Sequence, residues 1–167
     1  MLRRPTEMHI IQRKVLKMDI DEVYPGVLIS SMSASKDIHV LIDNNVTHII
    51  QIGKGMTPKY DEHFEYMMLD VDPRDAEGIS KFFSEAAIFI DQCILYKGIV
   101  LVACMNGMSA SAALVVAYLM IYHKLRYFEC VALIRKKRFV LPCQGLREEL
   151  FKLEESIFGD CERDLCF

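Results

Sequence analysis

Residues 99–111, IVLVACMNGMSAS, place an apolar strand, a cysteine and a short polar loop in direct succession. The first four residues are β-branched residues and a leucine, which is typical of a fully buried strand. The small and polar residues after Cys104 predict a tight loop that opens a helix near Ser109. This strand–loop–helix succession is typical of an open α/β sheet. Because such sheets bind ligands beyond the carboxyl ends of their strands, the loop after Cys104 is where a site is expected.

The loop after Cys104 is a candidate anion site. Successive backbone N–H groups at a helix N-terminus form a concave nest that attracts phosphate, and the helix dipole strengthens it. A cysteine at this position has its thiolate stabilised, which is how a thiol becomes a nucleophile near neutral pH. Outside such a loop Cys104 would be interpreted as a core cysteine; within it, a working or vestigial nucleophile is the favoured interpretation.

Alternating strand and helix patterns surround this loop. Strands are predicted within 22–29, 47–52, 64–71 and 99–102, and helices at 33–44, 79–94, 109–123, 127–138 and from 146 to about 158. The alternation predicts an α/β fold, with a central mixed, mostly parallel sheet flanked by helices on both faces. We expect one domain at 20–158, a basic N-terminal arm at 1–19 and a C-terminal tail at 159–167.

Composition excludes several function classes. The formal net charge of −3 argues against a nucleic-acid binder. The uncharged run 98–122 has a polar, turn-prone middle, so we interpret it as a buried strand, loop and helix rather than a membrane span. The six cysteines and five histidines lack metal-ligand spacing, so we expect no metal, no cofactor and a reduced intracellular chain.

The loop resembles that of the dual-specificity protein phosphatases, which carry His-Cys-x5-Arg-Ser/Thr. Cys104 matches the nucleophile, and Gly107, Ser109 and Ser111 match the loop pattern. Further matches lie at 24–29, 46–50, 82–86, 89–91, 117–120 and 135–138. The resemblance covers about 21–155 and implies the family's fold and its hydrolysis of phosphotyrosine, phosphoserine and phosphothreonine through the cysteine.

Two departures fall on the residues that the family's catalysis needs most. Ala110 stands where the motif has its arginine, whose guanidinium forks onto phosphate oxygens and stabilises transition-state charge. Ala103 stands where the motif has the histidine that helps to order the surroundings of the cysteine. Neither alanine supplies a charge or a side-chain hydrogen bond.

The general acid is a third doubtful position. In the family an aspartate before the 82–86 helix protonates the leaving oxygen, and Pro73 aligns with that aspartate here. Asp72 would serve if the loop shifts by one residue, although beside Pro73 it is more typical of a turn former. Asp70 and Asp75 are poorer candidates.

The predicted site therefore keeps a vestigial cysteine nucleophile but lacks the arginine and the histidine of the motif and has a doubtful general acid. Its candidate catalytic residues are Cys104, Asp72 as a doubtful acid, and Ser111, and its phosphate-binding loop is Met105, Asn106, Gly107, Met108, Ser109 and Ala110. The favoured hypothesis is a pseudophosphatase that binds or scaffolds proteins in phosphorylation signalling. The alternative is a phosphatase of weak or specialised activity, rescued by another arginine such as Arg74.

Basic residues suggest how partners are reached. Arg3-Arg4 before Met8 and Ile10, and Arg13-Lys14 before Leu16 and Met18, resemble kinase-docking patterns of basic and spaced apolar residues. The cluster at 135–138 is typical of a solvated helix end. We expect phosphoproteins or protein kinases as partners, no nucleic acid or membrane, and a cytoplasmic or nuclear location.

Overall fold

A five-stranded sheet forms the centre of the molecule. The computed structural model describes residues 19–159, and its strands are β1 Ile20–Tyr24, β2 Val27–Ser31, β3 His48–Ile52, β4 Glu65–Leu69 and β5 Val100–Cys104. Their spatial order is β1-β2-β5-β3-β4. Only the β1–β2 pair is antiparallel, and the other three pairs are parallel. The predicted mixed, mostly parallel sheet is confirmed.

The register brings the ends of the central strands together. β5 lies between β2 and β3, so all its residues are buried, as its aliphatic sequence requires. Ser31 at the end of β2 pairs with Cys104 at the end of β5. Gln51 of β3 and Ser30 of β2 flank Ala103. The loop after Cys104 therefore starts at the carboxyl edge of the sheet, as predicted.

Helices cover both faces of the sheet. They are α1 Ile38–Asp43, α2 Ala76–Ser80, α3 Phe83–Leu95, α4 Ala110–His123, α5 Tyr127–Arg135 and α6 Gln144–Phe158, with a 3₁₀ turn at Ala34–Lys36. The larger core packs α3 to α6 against the face that includes Val102 and Cys104. A smaller core holds Leu41 of α1 and Leu101 on the opposite face.

Three predicted helices differ from those observed. The pattern at 33–44 predicted one helix, but the chain forms the 3₁₀ turn and then α1. The pattern at 79–94 predicted one helix, but the chain forms α2, whose start is capped by Asp75 accepting from Gly78 N at 2.9 Å, and then α3. The two helices are separated by a turn at Lys81 and Phe82, where Phe82 N donates to Ile79 O at 2.9 Å. The helix predicted to end at Arg138 ends at Arg135. Arg138 is thereby freed for contacts outside the helix.

Helix α4 accounts for the long uncharged run. Eleven of its residues, Ala110 through Met120, are buried between the sheet and the neighbouring helices. A helix enclosed on all sides is expected to be apolar all round. Within residues 19–159, no helix combines the length and hydropathy that a bilayer crossing requires.

Some predictions concern parts of the chain beyond the described range. The arm at 1–19, apart from Asp19, and its two kinase-docking patterns fall outside residues 19–159, as does the tail after Gly159 with Cys161 and Cys166. These remain predictions.

Candidate functional site

Cys104 lies at the centre of the site, at the end of the buried strand β5. Its side chain is 2% exposed and belongs to the larger core. The Sγ atom forms a hydrogen bond of 3.1 Å with Oγ of Ser111, the second residue of α4. The structure thus brings together the two residues that the sequence paired as nucleophile and neighbouring hydroxyl.

The loop is held from its outer side through its carbonyl groups. Residues 105–108 each have a carbonyl oxygen that accepts a hydrogen bond from a group outside the loop. The donors are Met32 N to Met105 O at 3.3 Å, Arg138 Nη2 to Asn106 O at 3.2 Å, Arg138 Nε to Gly107 O at 2.7 Å and Leu141 N to Met108 O at 2.9 Å. Four consecutive peptide groups are therefore fixed in one orientation.

This orientation leaves the N–H groups on the inner side. Every peptide bond among the described residues is trans, so a carbonyl and the N–H of the next residue point in opposite directions. Outward carbonyls at 105–108 therefore place the N–H groups of 106–109 on the concave side, at the N-terminus of α4. Within residues 19–159 none of these four N–H groups donates a hydrogen bond. This backbone arrangement fits an anion nest, and phosphate binding by the loop stays a prediction.

Gly107 is the residue that lets the loop turn. Its φ of +63° is in the left-handed region, which favours glycine. A Cβ atom here would lie 2.5 Å from the backbone carbon and oxygen of Ser30. The match between Gly107 and the family's loop pattern thus has a local cause: the loop passes directly over β2.

Arg138 corrects one prediction. The cluster at 135–138 was expected to be a solvated helix end, but the Arg138 side chain is only 9% exposed. Besides the two loop carbonyls, its guanidinium contacts Asp19 Oδ1 at 2.7 Å and Asp21 Oδ2 at 3.0 Å. Because it bonds to carbonyls, Arg138 lies outside the nest and cannot replace the missing loop arginine.

The residue at the position of the missing arginine is a buried alanine. Ala110 is the first residue of α4 and is 1% exposed. Arg74, the other candidate rescuer, is 91% exposed and bound to Asp72. Among the described residues, no lysine or arginine side chain is recorded in contact with the inner side of the loop.

The position of the missing histidine lies beside a buried hydrogen-bond acceptor that has no donor. Ala103 is fully buried and lies between Ser30 and Gln51 on the face opposite Cys104. Gln51 is 1% exposed; its Nε2 donates to Ser35 Oγ at 2.9 Å, while its Oε1 has no hydrogen-bond partner. A buried acceptor without a donor is costly. An imidazole at position 103 would lie on the same face as this acceptor.

Asp72 is committed to its own turn. Its carboxylate accepts from Arg74 N at 2.9 Å, Nε at 3.2 Å and Nη2 at 3.1 Å. Hydrogen bonds from the Arg74 side chain and backbone hold the Asp72 pKa below its ordinary value. A general acid needs a pKa near the working pH, so this environment opposes the predicted role.

The two other acidic candidates also have structural roles. Asp70 Oδ1 accepts from Gly55 N at 2.7 Å, and Asp75 caps α2. Each carboxylate therefore stabilises a backbone turn.

Of the remaining loop residues, those at 105, 106 and 108 lie at the solvent-facing mouth of the site, and Ser109 helps to hold the loop in place. Met105 is 74% exposed, Asn106 is exposed and Met108 is half-buried. Ser109 Oγ accepts from Cys143 N at 3.0 Å and so ties the loop to the start of α6. The mouth consequently has an apolar methionine at its rim. No group of three or more metal-ligating side chains occurs within residues 19–159.

The side chains that hold the loop from its outer side were not predicted from the sequence. Arg138, Asp19 and Asp21 were not assigned to the site, and the sequence held only a weak signal for them. Arg138 is one of four consecutive basic residues, and nothing in the pattern separates it from its neighbours.

Comparison with known proteins identifies the family. The family model described as "Dual specificity phosphatase, catalytic domain" matches residues 27–156. The match spans well over half of the chain and includes the loop, so the chain belongs to the dual-specificity phosphatase family. The family predicted from the loop is confirmed.

Individual relatives share the whole domain. Dual specificity protein phosphatase 1B of Arabidopsis thaliana is 34% identical over 143 residues, which cover 85% of this chain and 86% of the relative. Serine/threonine/tyrosine-interacting protein B of Xenopus laevis is 30% identical over 147 residues, covering 83% and 66%. The crystal structure of human tyrosine phosphatase-like serine/threonine/tyrosine-interacting protein is 29% identical with a TM-score of 0.75, covering 82% and 96%.

Proposed function

We propose that this chain is a pseudophosphatase, a non-catalytic member of its family that binds proteins and regulates phosphorylation signalling. The observation that carries the proposal is the buried Ala110 at the position of the loop arginine, with no described cation on the inner side of the loop. The backbone nest remains, so the site retains the shape of an anion site without its charge.

The size of the expected loss in catalytic rate supports the pseudophosphatase proposal. Removing one preorganised donor from a transition state costs on the order of 10²–10³ in rate, and arginines that act on phosphoryl groups contribute about 10³–10⁵. A general acid held ionised by Arg74 lowers the rate further, because the leaving oxygen must then depart without a proton. The first loss affects the non-bridging oxygens of the transferring phosphoryl group, and the second affects its leaving oxygen.

Partners and location belong to the same proposal. With the arginine gone the nest binds phosphate weakly, so protein recognition extends beyond the loop. We take phosphoproteins or protein kinases as partners, with the basic arm at 1–19 as a kinase-docking segment, in the cytoplasm or nucleus. Relatives named as interacting proteins are consistent with this view.

The test is hydrolysis of p-nitrophenyl phosphate by the full chain. We expect the native protein to be indistinguishable from Cys104→Ser. We expect Ala110→Arg combined with Ala103→His to gain activity that depends on Cys104, because the nest and the nucleophile are in place and Gln51 Oε1 offers the new imidazole an acceptor. Ala110→Arg alone is the companion variant, and circular dichroism checks that each variant is folded. Turnover in the native protein that disappears in Cys104→Ser would contradict the proposal.

One observation favours the alternative, a phosphatase of weak or specialised activity. The Cys104–Ser111 hydrogen bond and the inward N–H groups are the parts needed for attack on an activated aryl phosphate. This alternative requires vanadate or tungstate to bind at Cys104, whereas the pseudophosphatase proposal expects binding too weak to inhibit or protect the thiol. Protection of Cys104 from alkylation by vanadate separates the two.

A further inference from the structure

The edge of the sheet farthest from β1 is open. Strand β4 pairs only with β3. Glu65 N donates to Thr47 O at 3.1 Å and Leu69 O accepts from Gly53 N at 3.1 Å, so residues 65 and 69 face β3. Because alternate residues of a strand turn their backbone groups to opposite sides, the N–H and C=O groups of Tyr66 and Met68 point away from the sheet. No described element pairs with them.

A groove runs beside this edge, between β4 and α3. It consists of one cavity of about 410 Å³ and a second of about 230 Å³, and both are lined by Phe89 and Gln92. Met67 and the 47% exposed Ile88 line the larger cavity, and Tyr96 lines the smaller one and is 85% exposed. The middle of the groove is therefore lined by the apolar ring of Phe89 and the amide side chain of Gln92.

Acidic side chains stand at both ends of the groove. Glu85 lines the larger cavity beside Met68, and Glu65 lines the smaller one at the start of β4. Glu85 is exposed and has no ion-pair partner among the described residues, while the Glu65 side chain is 75% exposed and contacts only His48. Among residues 19–159, no lysine or arginine lines either cavity.

We propose that this edge groove, formed by β4 and α3, docks an extended segment of a partner protein as an added strand, with the pattern basic–x–apolar–x–basic. An added strand bonds to the outward groups of Tyr66 and Met68, and its alternate side chains lie in the groove. Positions i and i+4 of a strand are about 13 Å apart, which matches the length of β4 between the acidic ends. The central apolar side chain then lies against Ile88 and Phe89. The inference rests on the proposed role in protein binding and names its surface and the chemistry of its partner.

The probe is a fluorescein-labelled synthetic peptide, Ser-Arg-Thr-Val-Thr-Arg-Ser, with blocked ends. Its control is a permuted peptide of the same composition, Ser-Arg-Arg-Thr-Thr-Val-Ser. Both are titrated against the full chain by fluorescence anisotropy at two salt concentrations, and amide exchange is measured at Tyr66 and Met68. We expect the patterned peptide to bind more tightly than the permuted one, more weakly at high salt, and to slow exchange at these two amides.

Protein variants localise the binding. Glu85→Lys should weaken the patterned peptide about tenfold, and Asp43→Lys on the exposed end of α1 is the matched charge reversal that should not. Met68→Pro removes an outward N–H without removing a sheet hydrogen bond and should abolish binding; Met68→Val should retain it. Equal binding of both peptides, no binding of either, or unchanged exchange at Tyr66 and Met68 would overturn the inference. Since the measurement does not involve Cys104, turnover in the hydrolysis assay would defeat the proposed function and leave this result standing.

Discussion

Gly107 shows, at the scale of one residue, what fixes the conformation of the loop after Cys104. Its left-handed φ and its contact with the Ser30 backbone leave no space for a side chain. We expect Gly107→Ala to lower the free energy of unfolding by about 3 kcal/mol or more, since backbone strain and overlap with an immovable carbonyl add together. Urea denaturation of the full chain measures this loss.

Gly55 supplies the matched control. Its φ is +68°, but a Cβ atom there would have no neighbour within 4 Å. Gly55→Ala should cost only the conformational strain, about 1 kcal/mol. Equal losses in the two variants would show that the approach of the loop to β2 does not constrain it.

The individual site residues differed in how far sequence could place them. Cys104 and Ser111 were both candidate catalytic residues in the sequence, but only the structure shows that Sγ and Oγ lie 3.1 Å apart. The role of Arg74 was not resolved, since a sequence does not show that its guanidinium binds the Asp72 carboxylate on the same turn.

Arg138 acts at the scale of elements, since it joins the end of the α5 region, the loop and the start of β1. We expect Arg138→Met to lower the free energy of unfolding by about 3 kcal/mol, because two loop carbonyls lose their donor and the Asp21 carboxylate, 20% exposed, loses its cation. The half-exposed Asp19 contributes less because water screens it. Thermal and urea unfolding measure the change.

Arg74→Met is the comparison for this prediction. Arg74 also makes a fork of hydrogen bonds to an aspartate, but its side chain is 91% exposed. Its removal should leave stability unchanged within error. A loss as large as that of Arg138→Met would mean that burial does not distinguish the two arginines.

Most elements were predictable because their hydrophobic period matches what they bury. The strand before Cys104 and the apolar helix after it follow from composition alone, since both are enclosed on every side. The division between α2 and α3 was not predictable from periodicity, because the turn at Lys81 and Phe82 separates the two helices without breaking the apolar spacing. The contacts of Arg138 were missed for a related reason, since they join segments distant in sequence.

The stability of the whole molecule should depend on alkaline pH. Burial raises the pKa of the Cys130 thiol from 9.0 to about 12 and that of the Tyr118 phenol from 10.0 to about 12. A group whose pKa is raised by folding contributes fully below its unfolded pKa, and the contribution is lost as pH rises towards the folded value. We therefore expect the urea midpoint to fall progressively between about pH 9 and pH 12.

Cys130→Ala tests the source of this dependence. It removes a buried titrating group and should make the decline with pH shallower. Val131→Ala truncates the neighbouring buried residue of α5 without removing a titratable group. It should therefore lower the urea midpoint by a similar amount at every pH. An unchanged slope in Cys130→Ala would assign the alkaline loss to other groups.

The outward carbonyls of the loop have a consequence for how such a protein changes over evolutionary time. The shape of the loop depends on hydrogen bonds to its carbonyl groups, and the side chains at positions 103 and 110 donate none of them. A lineage can therefore drop the arginine and the histidine one at a time while every ancestor remains folded. The same donors would still hold the loop if an arginine and a histidine returned, whereas hydrolysis of an unactivated phosphate would also need a general acid.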